Sequence, residues 1–288
     1  MEVYTPMIHP ELDYSKVKSL KETFKLKGID IDQYLESDHF KFKQGGEKRA
    51  LQILTSAMKL TNPLTKPLIS IDCEASEDNT KKLTEIGIAI LDPQISTPGS
   101  IVPQIKTIHL VILENLQLHN YKYVQGNKLK FMGGTSYVLT KKQAENILGQ
   151  IMEKYITTRD GVLIGHDVKQ DIKYLKKAGI QVSQTIHRID TMALIKLSRD
   201  SGHSLWAVLK QLDIPHANLH NAANDAYYSL IAAISLCDPI VRLNKDLDFY
   251  LPTSSSLSKK YQPRNDEAKF ILVDDEQKFI DDVLSNKG

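Results

Sequence analysis

The spacing of apolar and polar positions changes along the chain near residue 67. Before that point apolar residues recur at helical intervals among many Lys, Glu and Asp residues, as at Val17, Leu20 and Phe24. Two prolines, the first of them Pro63, then interrupt this spacing, and the residue before a proline is biased away from helix. The pattern predicts a helical N-terminal extension over residues 1–66, with a domain boundary after it.

Short apolar runs replace the helical spacing from Leu68 onward. Three of them, Leu68–Ile71, Ile86–Leu91 and Thr107–Leu113, have the length and composition of strands and are separated by polar or proline-containing loops. Strands that follow one another through loops, without a helix between them, commonly pair antiparallel. This part of the chain is therefore predicted to form an antiparallel meander.

Helices and strands alternate after the meander. Amphipathic spacing predicts a helix at Thr140–Tyr155, and apolar runs predict a fourth strand at Val162–Gly165 and a fifth at Ile186–Ile189. Further predicted helices are Lys169–Lys177, Met192–Leu197, Ser204–Leu212 and His220–Leu236. The alternation predicts an α/β domain over residues 67–238, with a mixed five-stranded sheet covered by helices. The pattern then fades, so residues 239–288 are predicted to be a C-terminal tail that is partly linker.

Composition and charge narrow the function classes only a little. The chain is 41% hydrophobic and 25% charged, and its formal net charge of +2 is too small to indicate a nucleic-acid partner by itself. Two cysteines, Cys73 and Cys237, are too few for a disulfide framework or a thiolate zinc site. No run approaches the roughly 20 apolar residues of a spanning helix, and Met1–Asp13 lacks a signal-peptide pattern. We therefore expect a cytoplasmic or nuclear protein that is not secreted and has no membrane partner.

Two carboxylates follow the first predicted strand. Asp72 and Glu74 are two positions apart, and because strand side chains alternate, both lie on the same face. A divalent cation such as Mg²⁺ or Mn²⁺, which prefers oxygen ligands, would relieve their repulsion. Taken alone, a solvated strand end is the simpler interpretation.

Two further acidic segments follow buried elements. Asp167 stands where the fourth strand ends and could cap the next helix, whereas Asp171 lies one turn further in. His220 precedes Asp225 at the start of the last predicted helix, from where a histidine can reach the region above that acid. Each residue alone is more simply an ordinary surface residue. Their order along the chain, always beside apolar segments, favours one shared site.

These motifs together resemble the DEDDh exonuclease superfamily, which has the ribonuclease H-like fold. The resemblance rests on Asp72-Cys73-Glu74, on the GHD-x-x-x-D segment that ends at Asp171, and on His220 followed by Asp225. It covers about Leu68 to Leu236. Asn221 stands where a sister group carries a catalytic tyrosine, so a histidine base is expected.

The chain departs from the family pattern at two places. Asp167 stands where many members carry Asn, and the segment Gln117–Gly134 lengthens the connection between the meander and the next helix. Within it, Phe131–Gly134 resembles a fungal branch linked to mRNA export. Neither departure removes an expected catalytic residue.

The resemblance implies a metal-dependent 3′→5′ exonuclease that hydrolyses single-stranded nucleic acid with a free 3′ end, RNA rather than DNA, to 5′-nucleoside monophosphates. It implies two Mg²⁺ or Mn²⁺ ions about 3.5–4 Å apart, with the histidine accepting a proton from the attacking water. The second ion would be shared by Asp72 and Asp171. His166 and Asp167 are expected beside the metal ligands rather than among them. The implied catalytic residues are Asp72, Glu74, Asp171, His220 and Asp225, of which the four acids are the implied metal ligands.

A segment rich in lysine and aromatic residues is a candidate for contact with the nucleic acid. Lys122, Lys128 and Lys130 alternate with Tyr121, Tyr123 and Phe131, which suits phosphate contact combined with base stacking. A solvated loop is an equally good interpretation of this segment.

A competing class is a nucleic-acid-binding or mRNA-export adaptor protein that keeps the nuclease fold with little turnover. The retained carboxylates argue against it, because a protein freed from catalysis has no physical need to hold repelling charges together. A nucleotide-cofactor enzyme is less well supported, since no GxGxxG or GKS/T loop follows the first strand.

Overall fold

In a computed structural model the chain is described at residues 14–95, 104–122, 126–177, 179 and 187–252. The predicted tail is therefore seen only as far as Pro252, and the rest of the predicted linker lies outside the described residues. The division into three regions stays a prediction.

The N-terminal region forms three helices: α1 (Ser15–Lys27), α2 (Ile31–Glu36) and α3 (Glu47–Thr61). The Asp30 side chain caps α2 by accepting from the backbone N–H groups of Asp32 and Gln33. The buried faces of α1 and α3 share one hydrophobic core with the sheet residues Leu68 and Val162. The extension thus packs directly on the α/β fold.

A six-stranded mixed sheet forms the centre of the fold, in the order β4-β3-β2-β1-β5-β6. Strand β1 pairs antiparallel with β2, and β2 with β3, whereas the pairs β1–β5, β5–β6 and β3–β4 are parallel. The strands are β1 (Leu68–Ala75), β2 (Leu83–Leu91), β3 (Ile105–Ile112), β4 (Ser136–Leu139), β5 (Val162–Gly165) and β6 (His187–Asp190). The predicted α/β class, with a meander followed by parallel strands, is confirmed.

Strand β4 is one strand more than the five that were predicted. It is only four residues long, three of them are exposed, and Gly134 lies just before it. It lacks the apolar run or the alternation by which a strand is detected from sequence.

Helices cover both faces of the sheet. They are α4 (Lys141–Met152, followed by a π-helical turn at Glu153–Thr157), α5 (Val168–Lys177), α6 (Thr191–Ile195), α7 (Leu205–Gln211), α8 (Ala222–Leu236) and α9 (Pro239–Asn244). Helices α4 and α5 pack on the face that carries Ile69 and Ile71, and α8 on the opposite face with Leu68. Across the described residues no helix is long and apolar enough to cross a membrane.

Helix α8 begins directly against strand β2. A Cβ atom on Gly87 would lie 1.9 Å from the carbonyl oxygen of Ala222, so no side chain fits at this position of the strand. The alanines of α8, including Ala222, Ala223 and Ala226, are buried and allow the helix to approach the sheet closely. This contact places the start of α8 above the middle strands.

The first residues of the predicted tail are folded onto the N-terminal region. Asp248 is buried and accepts hydrogen bonds from the Tyr34 hydroxyl at 2.8 Å and from Arg242 Nε at 2.9 Å, while His39 Nε2 lies 2.8 Å from it. Burial raises the pKa of Asp248, but the Arg242 charge and the bonds from His39 and Tyr34 outweigh it and lower the pKa. This network bonds Asp248, which lies beyond the point where the sequence pattern fades, to Tyr34 and His39 of the N-terminal region.

Candidate active site

Strand β1 carries two acidic residues on the face that α8 covers. Asp72 pairs in register with Gly87, and Glu74 with Glu85, so both carboxylates lie beside the start of α8. Both are half-buried. The placement of Asp72 and Glu74 on one face follows from the alternation of strand side chains.

Helix α5 places a third acid beside them. Strand β5 ends at Gly165, and the chain turns into α5 through Asp167, whose φ of 62° is in the left-handed region. Asp171 is 5% exposed, and its Oδ1 accepts a hydrogen bond from the backbone N–H of Cys73 at 3.0 Å. Its Oδ2 is buried and, among the described residues, has no hydrogen-bond donor.

The turn before α8 supplies a histidine and the fourth acid. His220 has a φ of 63°, and its backbone N–H donates to Asp225 Oδ2 at 3.0 Å. The next residue, Asn221, caps the helix by accepting from the backbone N–H of Asn224 at 3.1 Å. Ligand atoms of Glu74, His220 and Asp225 all lie within 4.8 Å of one another.

The electrostatics of this cluster suit a cation. Burial and then the charges of Asp171, Asp225 and Glu74 raise the pKa of Asp72 well above its usual range, and burial raises the pKa of both Asp171 and Asp225 to about 8. Asp225 Oδ1 is, like Asp171 Oδ2, buried without a donor in the described part of the chain. A buried carboxylate oxygen without a hydrogen-bond donor can instead bind a hard divalent cation, which prefers oxygen ligands. These residues therefore fit Mg²⁺ or Mn²⁺.

The two residues expected beside the ligands lie at the end of β5. His166 Nδ1 is 2.8 Å from the Thr191 hydroxyl, and the backbone N–H of Asp167 donates to Asp190 Oδ1 at 3.1 Å. Burial lowers the pKa of His166. The charge of Asp167 adds to the effects that raise the pKa of Asp171, which indicates that Asp167 lies near the cluster.

Sequence reasoning missed a buried glutamate and histidine next to the cluster. Glu85 is 3% exposed and lies opposite Glu74, and its Oε2 is 2.9 Å from Nε2 of His109, which is 0% exposed. The second strand was predicted from the apolar run Ile86–Leu91, which begins one residue after Glu85, whereas β2 begins at Leu83. A glutamate directly before that run was the available signal.

Lys128, one of the three lysines predicted to contact nucleic acid, is buried. Lys128 is 5% exposed, and its ammonium group donates to the carbonyl oxygens of Leu116 at 3.2 Å and Leu118 at 2.6 Å. It fastens its own loop instead of facing solvent. Lys122 and Lys130 are exposed, so contact between these two lysines and nucleic acid stays a prediction.

The loop that contains Lys128 is bonded to the start of α8. The backbone N–H of Asn127 donates to the carbonyl of His220 at 2.9 Å, and Asn221 Nδ2 donates to the carbonyl of Lys128 at 3.2 Å. Asn224 Nδ2 donates to the carbonyl of Lys130 at 3.0 Å, and Asn224 Oδ1 accepts from the N–H of Met132. These hydrogen bonds hold the lengthened segment in place beside His220.

Comparison with known families agrees with this geometry. Residues 67–236, more than half of the chain, match the DEDDh_C family, described as DNA polymerase III subunit epsilon-like, C-terminal domain. The chain belongs to this DEDDh family. The suspected recognition from the three acidic motifs is thereby confirmed, and the matched residues include all five site residues that the motifs indicated.

Fungal proteins of related sequence were also found. One is "Good for full DBP5 activity protein 2" of Saccharomyces cerevisiae, 33% identical in an alignment of length 206 that covers 62% of this chain and 36% of that protein. Another is an uncharacterized nucleolar protein of Schizosaccharomyces pombe, 30% identical in an alignment of length 199 that covers 65% of this chain and 76% of that protein. The chain spans less than half the length of the two S. cerevisiae relatives that it matches. The S. cerevisiae relative whose name refers to full DBP5 activity supports the suspected DEDDh branch.

Among solved structures, one similar chain comes from the zinc-bound complex of Escherichia coli ExoI with single-stranded DNA. The TM-score is 0.39 at 11% identity, over 64% of this chain and 42% of that chain.

Proposed function

We propose that this DEDDh protein is a metal-dependent 3′→5′ exonuclease that hydrolyses single-stranded nucleic acid to 5′-nucleoside monophosphates. The observation that carries the proposal is the convergence of four acids and His220, in which Asp171 and Asp225 each keep a buried oxygen without a donor. This set of groups provides both the ligands for a divalent cation and a base for proton transfer.

The carboxylates divide into two overlapping ligand sets in this proposal. Asp72, Glu74 and Asp225 would hold one Mg²⁺ or Mn²⁺ ion, and Asp72 would share a second ion with Asp171. When bound, the ions lower the pKa of a coordinated water and stabilise the departing 3′ oxygen. The hydrogen bond from Cys73 holds one oxygen of Asp171, and the other oxygen, buried without a donor among the described residues, is the proposed ligand atom.

His220 is the proposed general base. Its imidazole accepts the proton of the attacking water, a role that histidine fills commonly near neutral pH. The backbone of His220 is held on both sides, because its N–H donates to Asp225 and its carbonyl accepts from Asn127. The base is therefore placed by the same helix start that places Asp225.

RNA is the proposed substrate class, with a free 3′ end. The support is the resemblance of the Phe131–Gly134 segment to an export-linked branch and the name of the S. cerevisiae relative, which refers to full activity of DBP5. A nuclear location is consistent with the nucleolar S. pombe relative. The exposed Lys130, fixed next to His220 by Asn224, is the proposed phosphate contact.

One gel assay tests the proposal. Purified full chain is incubated with 5′-labelled RNA and DNA oligonucleotides whose 3′ ends are free or blocked, in Mg²⁺, in Mn²⁺ or in EDTA. We expect a ladder that shortens from the 3′ end, only with free ends and only with metal, and faster on RNA. Products that do not depend on the 3′ end, or no products with either metal, would contradict the proposal.

The second candidate is an adaptor protein that binds nucleic acid with little turnover. It is favoured by the relative whose name refers to the activity of another protein rather than to a nuclease. The two are separated by the same oligonucleotides, because an adaptor would retard them in a native gel and leave their length unchanged.

A further inference from the structure

A buried chain of hydrogen bonds runs from the sheet surface to the start of α8. The Ser136 hydroxyl of β4 lies 2.7 Å from His109 Nδ1, and His109 Nε2 lies 2.9 Å from Glu85 Oε2. The same Glu85 oxygen accepts from the backbone N–H of Ala222 at 3.4 Å. Ala222 is the first residue of α8 and comes two positions after His220.

This arrangement differs from an ordinary surface ion pair. Glu85 and His109 are 3% and 0% exposed, so neither keeps its hydration, and a carboxylate without partners here would be strongly unfavourable. The backbone N–H of Ala222 donates to Glu85 Oε2, and His109 Nε2 donates to the same oxygen in the tautomer that carries its proton on Nε2. Helix α8 is thus held from the strand side by Glu85, and Gly87 allows the close approach that this bond needs.

Lys128 adds a cation from the other side. Burial lowers the pKa of Lys128, and the nearby charge of Glu85 opposes that effect, which places the ammonium group in the field of the same carboxylate. The carbonyl of Lys128 accepts from Asn221, the cap of α8. The start of α8 is therefore bonded both to the sheet, through Glu85, and to the loop, through Lys128.

We propose that Glu85, held in place by His109, is a positioning residue for the reaction: it fixes the first turn of α8 so that His220 and Asp225 face Glu74. The inference rests on the proposed exonuclease function. Glu85 itself touches neither substrate nor the reacting atoms in this proposal. Its influence passes through the Ala222 N–H and the left-handed turn at His220.

The test compares variants that keep or remove the donor to Glu85. His109→Val removes the donor, whereas His109→Gln places an amide N–H₂ close to the position of Nε2 and should restore it. Glu85→Leu removes the oxygen that His109 and Ala222 both contact, whereas Glu85→Gln is the conservative variant, because one amide oxygen with two lone pairs can accept from both. His39→Val is the matched control, because His39 Nε2 lies at a similar distance, 2.8 Å, from a buried carboxylate, Asp248, in a network with the N-terminal helices.

Three quantities are measured well below each variant's melting temperature: kcat and KM on a 3′-ended RNA, and the Kd for Mn²⁺ by electron paramagnetic resonance. We expect His109→Val and Glu85→Leu to lower kcat about 10–100-fold, the size found for residues that orient metal ligands, with KM changed less than about 3-fold. Glu85→Gln, which keeps the acceptor oxygen, should lower kcat less than Glu85→Leu does. His109→Gln should recover kcat to within about 5-fold of the parent, and His39→Val should lose thermal stability without losing kcat.

The outcomes separate this inference from the proposed function. If the parent hydrolyses nothing but binds Mn²⁺, the exonuclease proposal fails, and positioning is still read from a weaker Mn²⁺ Kd in His109→Val that His109→Gln restores. Parent-like kcat and Kd in Glu85→Leu overturn the inference, as does a loss of kcat in His39→Val as large as in His109→Val. Should His109→Val not fold, the difference in kcat between Glu85→Leu and Glu85→Gln decides, and equal kcat values in these two variants would overturn the inference.

Discussion

The Asp171 carboxylate accepts a hydrogen bond from the backbone N–H of Cys73 at 3.0 Å, although 98 positions separate the two residues along the chain. Cys73 lies between Asp72 and Glu74 on β1, with its side chain in the core on the opposite face. The bond therefore ties the helix that follows β5 to the middle of the acidic strand. Asp171 has one oxygen satisfied by the backbone and one that is buried without a donor among the described residues.

Loss of a metal ligand and loss of the base should differ in kind. Asp72→Asn removes an oxygen ligand proposed to be shared by both ions, so we expect weaker Mn²⁺ binding together with loss of turnover. His220→Ala should leave the Mn²⁺ Kd within a few-fold of the parent and lower kcat by about 10²–10⁴-fold. Calorimetric Mn²⁺ titration beside single-turnover kinetics checks this, and an unchanged Kd in Asp72→Asn would argue against the ligand assignment.

The metal-free protein should lose stability as the pH rises. Burial raises the folded-state pKa of Asp225 to about 8, above the usual 3.8, so its contribution is complete below about pH 4 and is lost as the pH rises through 8. In EDTA, Asp225→Asn should therefore melt higher than the parent at pH 8.5, with the difference shrinking towards pH 4. A gain of 1 kcal/mol corresponds to about 2–4 °C for a chain of this size.

Addition of Mg²⁺ provides a control for the pH experiment. Added Mg²⁺ should raise the melting temperature of the parent more than that of Asp225→Asn, because the variant has lost a proposed ligand. Equal melting curves of the two proteins at pH 8.5 in EDTA would show that burial does not raise the pKa of Asp225.

Two lysines of one loop should have separate roles. Lys130→Ala changes an exposed side chain, so we expect a weaker RNA complex and a slope of log K against log salt reduced by about one phosphate contact. Lys128→Met removes a buried ammonium group that donates to two carbonyls, so it should lower stability. Binding measured at several salt concentrations, with melting curves, separates them. The reverse pattern would mean that the loop is placed differently.

The network around Asp248 should matter for stability but not for chemistry. Arg242→Met leaves a buried carboxylate without its cation, which typically costs about 3–5 kcal/mol. Urea unfolding measures the loss, and kcat of the folded fraction should stay at the parent value. Lys59→Met, which breaks an exposed pair with Asp32, is the control and should unfold close to the parent. A parent-like midpoint for Arg242→Met would contradict the importance of this network.

The parts of the fold that were predicted from sequence are those set by local periodicity. Period-two alternation places Asp72 and Glu74 on one face, and the apolar runs of β1, β2, β3 and β5 indicate the sheet. Helical spacing likewise indicated α8, on which Asp225 lies. The DEDDh motifs then gave the family, because three spaced acidic segments are far more specific than any one of them.

The parts that were missed depend on partners distant in the chain. The sequence spacing does not tell that Lys128 turns inward while Lys130 stays exposed, because the carbonyls that hold Lys128 belong to another turn. Glu85 in an apolar strand is explained only by His109 on the neighbouring strand. Residues 239–252 have a weak pattern of their own, and their folding depends on contacts such as that of Asp248 with Tyr34.

The central claim is that these acids together bind divalent cations beside His220. Anomalous diffraction from crystals soaked in Mn²⁺ tests it most directly. The account predicts manganese peaks within coordination distance of Asp72, Glu74, Asp171 and Asp225, and none in crystals of Asp72→Asn treated in the same way. Manganese absent from this cluster in the parent, or bound unchanged in Asp72→Asn, would contradict it.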